Sequence, residues 1–315
     1  MVFEEIMINQ FLQSFSFPLL DLFFKGATYF GHPGPWFFLG AILFWIGREK
    51  QSFKLVSLIL FASFFSGILK YIIARPRPVG IIQMEPEFTP SMPSGHSTIA
   101  GAISAYSFFS KEIQKNYAYV LLILALLAGL SRIYLGVHFL TDVLAGLLLG
   151  ALIGWFVFKI EHKLNKMEFH ITKLKEESLI IAFFVIVVIC YLFIPAEFYG
   201  AFALLGYFAG YAIYRHTEMK EILLRPQTKR QSIVAVFFGL VFLGALGLIA
   251  YVSKGLIAQG MFFICGIFVT LLWPIVISKL VLKREKLKNI STKKSKYSSK
   301  KVPSKRLNSK KKKAF

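Results

Sequence analysis

Charge is scarce in this 315-residue chain: Asp, Glu, Lys and Arg make up 17% of it, against about a quarter in a soluble domain. Acid is scarcer still, with 16 Asp+Glu against 37 Lys+Arg. Cysteine is nearly absent. Cys190 and Cys265 both lie inside apolar runs, which favours small buried hydrophobes over a disulfide or a metal pair. No repeat of 20–50 residues is evident, which argues against a solenoid. The N-terminus, with Glu4 and Glu5, lacks the basic region and small-residue cleavage site of a signal peptide. What is abundant is apolar. The chain is 56% hydrophobic with 34 Phe, and its mean hydropathy is +0.62. This balance points to a polytopic membrane protein and away from a disordered, collagenous or disulfide-rich secreted one.

The net charge of +21 is concentrated at one end. Residues 283–315 hold 15 Lys+Arg and the single acid Glu285. A segment so rich in Lys and Ser cannot bury enough apolar surface to fold, so a disordered tail is expected. It serves as a solvated terminus that helps topology, or as a contact for anionic lipid headgroups, each basic residue near the surface being worth about 1 kcal/mol. Nucleic acid is not expected as a partner, because no aromatic-interleaved basic groove accompanies the tail.

A helix needs about 20 mostly apolar residues to cross a bilayer. Such runs occur near 10–30, 34–47, 53–73, 95–110, 117–134, 139–159, 178–195, 198–214, 233–252 and 257–280. The first carries Pro18, Asp21 and Lys25, so it either crosses or lies in the interface. The expected fold is all-α: a polytopic helical membrane protein with a six-helix core over 1–160, a basic linker over 161–177, about four further transmembrane helices over 178–282, and the tail. Loops on one side (48–54, 111–116, 159–177 and 215–231) hold 15 Lys+Arg, while the other side has Lys70, Arg75, Arg77, Arg132 and Lys254. By the positive-inside rule the first side and the tail are cytoplasmic. The extracytoplasmic side then collects three unusual segments.

Those segments are Lys70 to Arg75-Pro-Arg77-Pro78, Pro93-Ser94-Gly95-His96, and Ser131-Arg132 to His138 and Asp142. Ionisable groups at membrane depth are costly and tend to be functional. Lys70, Arg75, Arg77 and Arg132 together suit an anion, the Arg forks matching phosphate oxygens. Ser94 and Gly95 sit at a helix start, where free N–H groups favour an anion too. His138 and Asp142, four apart, share a helix face. A carboxylate on one ring nitrogen fixes the tautomer and leaves the other as a nucleophile. His96 is then free to protonate a leaving oxygen. Blander readings stand beside each of these: structural histidines, a helix salt bridge, a helix stop with interfacial anchors, a plain turn. A divalent metal at His138 and Asp142 would meet repulsion from the nearby cations. The conjunction on one face favours the phosphate reading.

These three segments resemble the type 2 phosphatidic acid phosphatase family, which shares its site with vanadium haloperoxidases. The family pattern is Lys, six residues, Arg-Pro; Pro-Ser-Gly-His; and Ser-Arg, five residues, His, three residues, Asp. All three parts match without a gap, and the resemblance covers about residues 10–160. It implies that Lys70, Arg77 and Arg132 bind phosphate with Ser94 and Gly95, that His96 protonates the leaving group, that His138 is the nucleophile oriented by Asp142, and that no metal or other cofactor is required. Arg75 is not a motif position; it is expected at most to touch the approaching headgroup. The loop 79–92, with Glu85, Glu87 and Phe88, either rims the entrance or is a plain connector.

The expected function is therefore a metal-independent lipid phosphatase using a phosphohistidine at the extracytoplasmic face. Polyprenyl diphosphate (including undecaprenyl diphosphate), phosphatidylglycerol phosphate and phosphatidate are the candidate substrates. The alternative is a transporter or flippase that moves an anionic lipid or solute through the same charged cluster. The four extra spans shape a lipid groove, mediate homo-oligomerisation or carry a separate transport activity; the sequence leaves these three open.

Overall fold

The computed structural model describes residues 2–85, 87–110, 112–166, 173–193, 199–216 and 229–279. The basic tail, Pro195, Glu197 and Pro226 lie outside them. The described residues form eleven α-helices and no strand: α1 Val2–Gln13, α2 Pro18–Thr28, α3 Pro33–Trp45, α4 Glu49–Ile73, α5 Gly95–Ser110, α6 Lys115–Tyr134, α7 Leu140–Lys166, α8 Lys173–Phe193, α9 Tyr199–His216, α10 Lys229–Val252 and α11 Gly255–Ile267. The last continues through a π-turn, Phe268–Leu272, to residue 279. Among the described residues, five stretches are long and apolar enough to cross a membrane: Glu49–Ile73, Lys115–Tyr134, Leu140–Lys163, Ser232–Val252 and Gly255–Lys279. Leu122, Ile123 and Leu126 of α6 and Leu144, Leu148 and Leu152 of α7 are exposed, as a lipid-facing surface requires. The chain is an integral membrane protein.

The expected first run, 10–30, is not one helix. Phe17, preceding Pro18, is extended at φ −152° and ψ 159°, the conformation that the proline ring imposes on its neighbour. Pro18 then opens α2, where its missing N–H costs nothing. The 11 residues of α2 reach about 16 Å at 1.5 Å per residue, half the hydrocarbon thickness. So neither half of that run crosses alone. At the other end of the core, α7 continues to Lys166 and α8 starts at Lys173, so helix occupies much of the stretch expected as a linker.

Helix α5 is the hub. Its residues 97–104 are all buried, and it packs against α4, α6 and α7. The closest approach is to α7, and small residues permit it. Gly146, Gly150 and Gly154 recur every four residues, so they line one face of α7. A Cβ at Gly146 would lie 2.5 Å from the Ser94 carbonyl oxygen, one at Gly150 2.8 Å from the Ala102 nitrogen, and one at Gly154 2.8 Å from the Tyr106 nitrogen. Without hydrophobic drive between helices in lipid, such backbone-to-backbone packing is what holds them. It also sets register at the top of the bundle, where the Ser94 N–H donates to the Asp142 carbonyl at 3.0 Å.

The C-terminal helices share this core. Trp45, Ile59 and Ile103 pack in one buried cluster with Tyr207, Val269 and Trp273. Trp45 Nε1 donates to the Val269 carbonyl at 2.9 Å, Ser52 Oγ lies 2.7 Å from the Tyr207 hydroxyl, and Tyr214 donates to Glu49 at 2.7 Å.

Candidate active site

The antiparallel order of α4 to α7 brings four helix ends to one face: the C-termini of α4 and α6 and the N-termini of α5 and α7. Lys70 lies in the last turn of α4. Ala74 then takes a left-handed conformation, φ 51°, which ends the helix and turns Arg75 and Arg77 back across the bundle. Lys70 donates from Nζ to the carbonyls of Pro90 at 2.6 Å and Ser91 at 3.4 Å. Arg77 donates from Nε to the Thr89 carbonyl at 2.6 Å and from NH1 to the Val137 carbonyl at 2.7 Å. Its NH1 also lies 3.4 Å from His138 Nε2. Arg132, 1% exposed at the end of α6, donates to Thr28 Oγ1 at 2.8 Å. Its Nε has no hydrogen-bond partner among the described residues, leaving one buried donor uncommitted.

One carboxylate gathers these cations. Glu87 pairs with Arg77 NH2 through Oε2 at 2.5 Å and with Arg132 NH2 through Oε1, and its Oε2 is 3.9 Å from His138 Nε2. Glu85 adds a second contact to Arg132 at 3.2 Å. Burial pushes the Glu87 carboxyl up, but Arg132, then His138 and Arg77, overcome it and hold it at about 2. An oxyanion thus sits on the two guanidinium forks directly before the imidazole. Next to it on the loop, Phe88 is 99% exposed.

His138 and Asp142 are both fully buried. Asp142 Oδ2 lies 3.4 Å from His138 Nδ1 and accepts the Phe139 N–H at 2.9 Å. Nε2 is therefore the nitrogen turned toward Arg77 and Glu87. Burial pushes the His138 imidazole down to about 4; Asp142 acts against this, and Lys70 and Arg77 add to it. A neutral ring with a free Nε2 lone pair is the nucleophilic form.

Gly95 opens α5 beneath Lys70: a Cβ there would meet Ser66 Oγ at 3.4 Å and Lys70 Cε at 4.0 Å. Ser94 precedes it, and its Oγ accepts from the Ser97 N–H at 3.4 Å and the Ser97 hydroxyl at 3.0 Å. This is N-capping, and both contacts use the Ser94 oxygen as acceptor. His96 stands near enough to Arg132, Glu87 and His138 for their charges to act on it. So Lys70, Arg77, Ser94, Gly95, His96, Arg132, His138 and Asp142 all come to one end of the bundle.

Sequence reasoning passed over a second layer. Glu5, Asn9 and Gln13 lie four apart on α1, one inward polar face. Asn9 donates to the carbonyls of Ile133 at 2.7 Å and His138 at 3.0 Å, and Gln13 donates to those of Ile82 at 2.7 Å and Tyr134 at 3.0 Å. Gly136, at φ +74°, lets the connection pass: a Cβ there would come within 2.8 Å of Gln13 Nε2. Arg75 joins this layer, donating to Asp142 Oδ1 at 2.6 Å. His32, whose ring centroid is 5.7 Å from that of His96, was overlooked too; its Nδ1 caps α3 by accepting from Gly34 at 3.1 Å. The spacing of 5, 9 and 13 was the available signal for the α1 face.

The fold defines a polytopic membrane protein, and the cluster of Lys70, Arg77 and Arg132 at one of its ends suits an anion. The family model of the PAP2 superfamily matches residues 51–166. Phosphatidylglycerophosphatase B of Bacillus subtilis (strain 168) is 32% identical over 166 residues, 47% of this chain and 79% of that protein. The undecaprenyl-diphosphatase of Sulfolobus acidocaldarius is 32% identical, over 42% of this chain and 66% of its own length. The bacitracin transport permease protein BcrC of Bacillus licheniformis is 31% identical, over 40% and 66%. The chain belongs to the PAP2 superfamily. It is a membrane lipid phosphatase, and its family match ends where α7 ends.

Proposed function

We propose that the protein hydrolyses the terminal phosphate of a lipid phosphomonoester or diphosphate through a phosphohistidine on His138. The observation that carries this reading is the seat of Glu87: a carboxylate held by Arg77 and Arg132 with an oxygen 3.9 Å from His138 Nε2. A phosphoryl group that displaces it inherits both forks, with Lys70 and the Gly95 end of α5 beside it.

His138 Nε2 then attacks phosphorus. Nδ1–H points at Asp142, which stabilises the ring as it becomes cationic. The bond to the leaving oxygen breaks, and His96 supplies the proton that oxygen needs. Water next attacks the phosphohistidine and gives its proton to His96. Inorganic phosphate leaves and both imidazoles are restored. Arg77 and Arg132 stabilise charge on the equatorial oxygens in each step. The chemistry needs no metal, so turnover in EDTA is expected.

The Lys/Arg bias supports a site on the extracytoplasmic side and a cytoplasmic tail beside anionic headgroups. The names of the relatives support phosphatidylglycerol phosphate and a polyprenyl diphosphate as substrates, with phosphatidate third. The name of one relative, a bacitracin transport permease protein, supports the transport reading as the alternative. Purified protein in detergent with EDTA should release phosphate from at least one of the three lipids. His138→Ala should abolish release while the protein still runs as a folded species. An acid-labile, base-stable phosphoenzyme should be trapped during turnover. Lipid movement that persists in His138→Ala, without phosphate release by the wild type, overturns the proposal in favour of transport.

A further inference from the structure

Asp142 divides its two oxygens. Oδ2 serves His138 and the Phe139 N–H; Oδ1 accepts from Arg75 NH1 at 2.6 Å. The same NH1 donates to Thr141 Oγ1 at 2.6 Å, and NH2 donates to Glu5 Oε2 at 2.9 Å. Thr141 closes the ring by donating to Glu5 Oε1 at 2.9 Å. The Arg75 guanidinium lies 4.3 Å over the ring of Phe139, a cation–π contact. So four partners on three elements hold one fork against the far side of the carboxylate that faces the nucleophile. Among the described residues Arg75 forms its ion pairs with Glu5 and Asp142, and Glu87, the anion in the proposed phosphate seat, forms its own with Arg77 and Arg132.

We propose that Arg75 is a positioning residue for the nucleophile: it clamps Asp142 from behind and so fixes the His138 imidazole, while Glu5 of α1 holds the clamp. This rests on the reading of His138 as nucleophile. A carboxylate with one oxygen tied cannot rotate, and its free oxygen then dictates the tautomer and the aim of Nε2. Arg75 also shares the charge of Asp142 with the imidazole. Asp142 from α7, Lys70 from α4, Arg77 and Glu87 from the intervening loop, and His96 from α5 all face His138, with Arg132 of α6 behind Glu87. Removing the cation at Arg75 leaves Asp142 to pull harder on the His138 proton. The neutral nucleophile is then lost at a higher pH.

The test uses the full chain in detergent. Its substrate is dioctanoyl phosphatidate or farnesyl diphosphate, whichever the wild type turns over faster. Arg75→Gln should lower kcat by about 10- to 100-fold, the scale of losing a hydrogen bond to a charged group. Its KM should stay within twofold, and the acid limb of its pH profile should move to higher pH. Arg75→Lys should also lower kcat, since one ammonium cannot reach Asp142, Thr141 and Glu5 together, but its acid limb should stay near the wild-type position. Glu5→Gln should give a several-fold kcat loss, and it decides the matter if Arg75→Gln does not fold. Wild-type kcat in both Arg75→Gln and Glu5→Gln, a loss confined to KM, or an acid limb that does not move in Arg75→Gln overturns the proposal. His138→Ala is run in parallel. Activity in that variant sinks the nucleophile reading itself, whereas an inactive His138→Ala beside an unaffected Arg75→Gln sinks only the clamp.

Discussion

On α7, Gly146, Gly150 and Gly154 admit the backbone of α5. On the C-terminal side, Gly206 of α9 and Gly266 of α11 do the same for each other, a Cβ at Gly206 falling 2.8 Å from the Phe263 carbonyl carbon and one at Gly266 2.8 Å from that of Gly206. The two regions thus close by one physical device. They differ in what the close approach brings together. The ends of α4 to α7 bury Lys70, Arg132, His138 and Asp142; the buried polar side chains described in α8 to α11 are Tyr207, Tyr214, Gln259, Thr270 and Ser278, and none of these carries charge at neutral pH. Charge is expensive to bury and is kept where chemistry needs it. Neutral hydroxyls and amides suffice to join helices.

The widest gap between the regions should open under a change to the shared device. Gly150→Val puts methyl groups where a single Cβ already meets the Ala102 nitrogen at 2.8 Å. Overpacking costs about 1–3 kcal/mol and more against backbone. Helix α7 would slide or tilt away from α5, and the Ser94–Asp142 link would part. The expected outcome is loss of most phosphate release together with a lower melting temperature in detergent. Gly244→Ala, where nothing lies within 4 Å, should be neutral in both readouts.

Within the site half, Glu87→Gln sharpens the contrast between a charge that binds and one that competes. Glu87 is an internal anion on Arg77 and Arg132, the proposed phosphate seat. Its amide keeps shape and loses the charge that Arg77 and Arg132 hold. Inorganic phosphate and orthovanadate should therefore inhibit the variant about tenfold more tightly, a gain of about 1.4 kcal/mol. Inhibition constants equal to the wild type's would show that Glu87 does not occupy that seat.

A pH series separates the regions again. His138 titrates near 4 in the folded protein against 6.5 ordinarily. Between those values the unfolded chain takes up a proton that the native state refuses. This contribution to stability is present above about pH 6.5 and is lost as pH falls toward 4. Melting temperatures measured in detergent from pH 7 to 4 should fall, and His138→Asn should flatten part of that slope.

Much of the site was legible because motif spacing and helix direction are both written along the chain. Lys70, Arg77, His96, Arg132, His138 and Asp142 needed only alternating spans to meet. The layer behind them was hidden for a physical reason. Arg75 looked at most like a headgroup contact because its partners, Glu5 and Asp142, are separated from it by 70 and 67 residues. Glu87 looked like rim because a loop carboxylate has no period to betray its aim. The run at 10–30 looked continuous because hydropathy averages over Pro18, whereas the backbone obeys its ring, which holds Phe17 extended. By contrast the polar face at Glu5, Asn9 and Gln13 was visible in principle, hidden because the first apolar run was counted from residue 10, which left Glu5 and Asn9 outside every expected helix.

The smallest effect should come from the C-terminal region, and there its meaning is clearest. Tyr207 is fully buried, and its hydroxyl meets Ser52 Oγ at 2.7 Å. Ser52 also donates to the Gly40 carbonyl at 2.6 Å, so Tyr207→Phe leaves no orphaned donor on α4. The cost should be one net hydrogen bond, about 1 kcal/mol. Helix α4 carries Lys70 at its far end, more than four turns from Ser52, and the helix between them is packed on both sides. A rigid rod passes on little of a local change in one hydrogen bond. Melting should therefore shift by a few degrees while kcat and KM stay at wild-type values. A marked fall in kcat would instead mean that the junction of α4 and α9 sets the height of Lys70 in the site, and the division between a chemical half and a scaffolding half would fail.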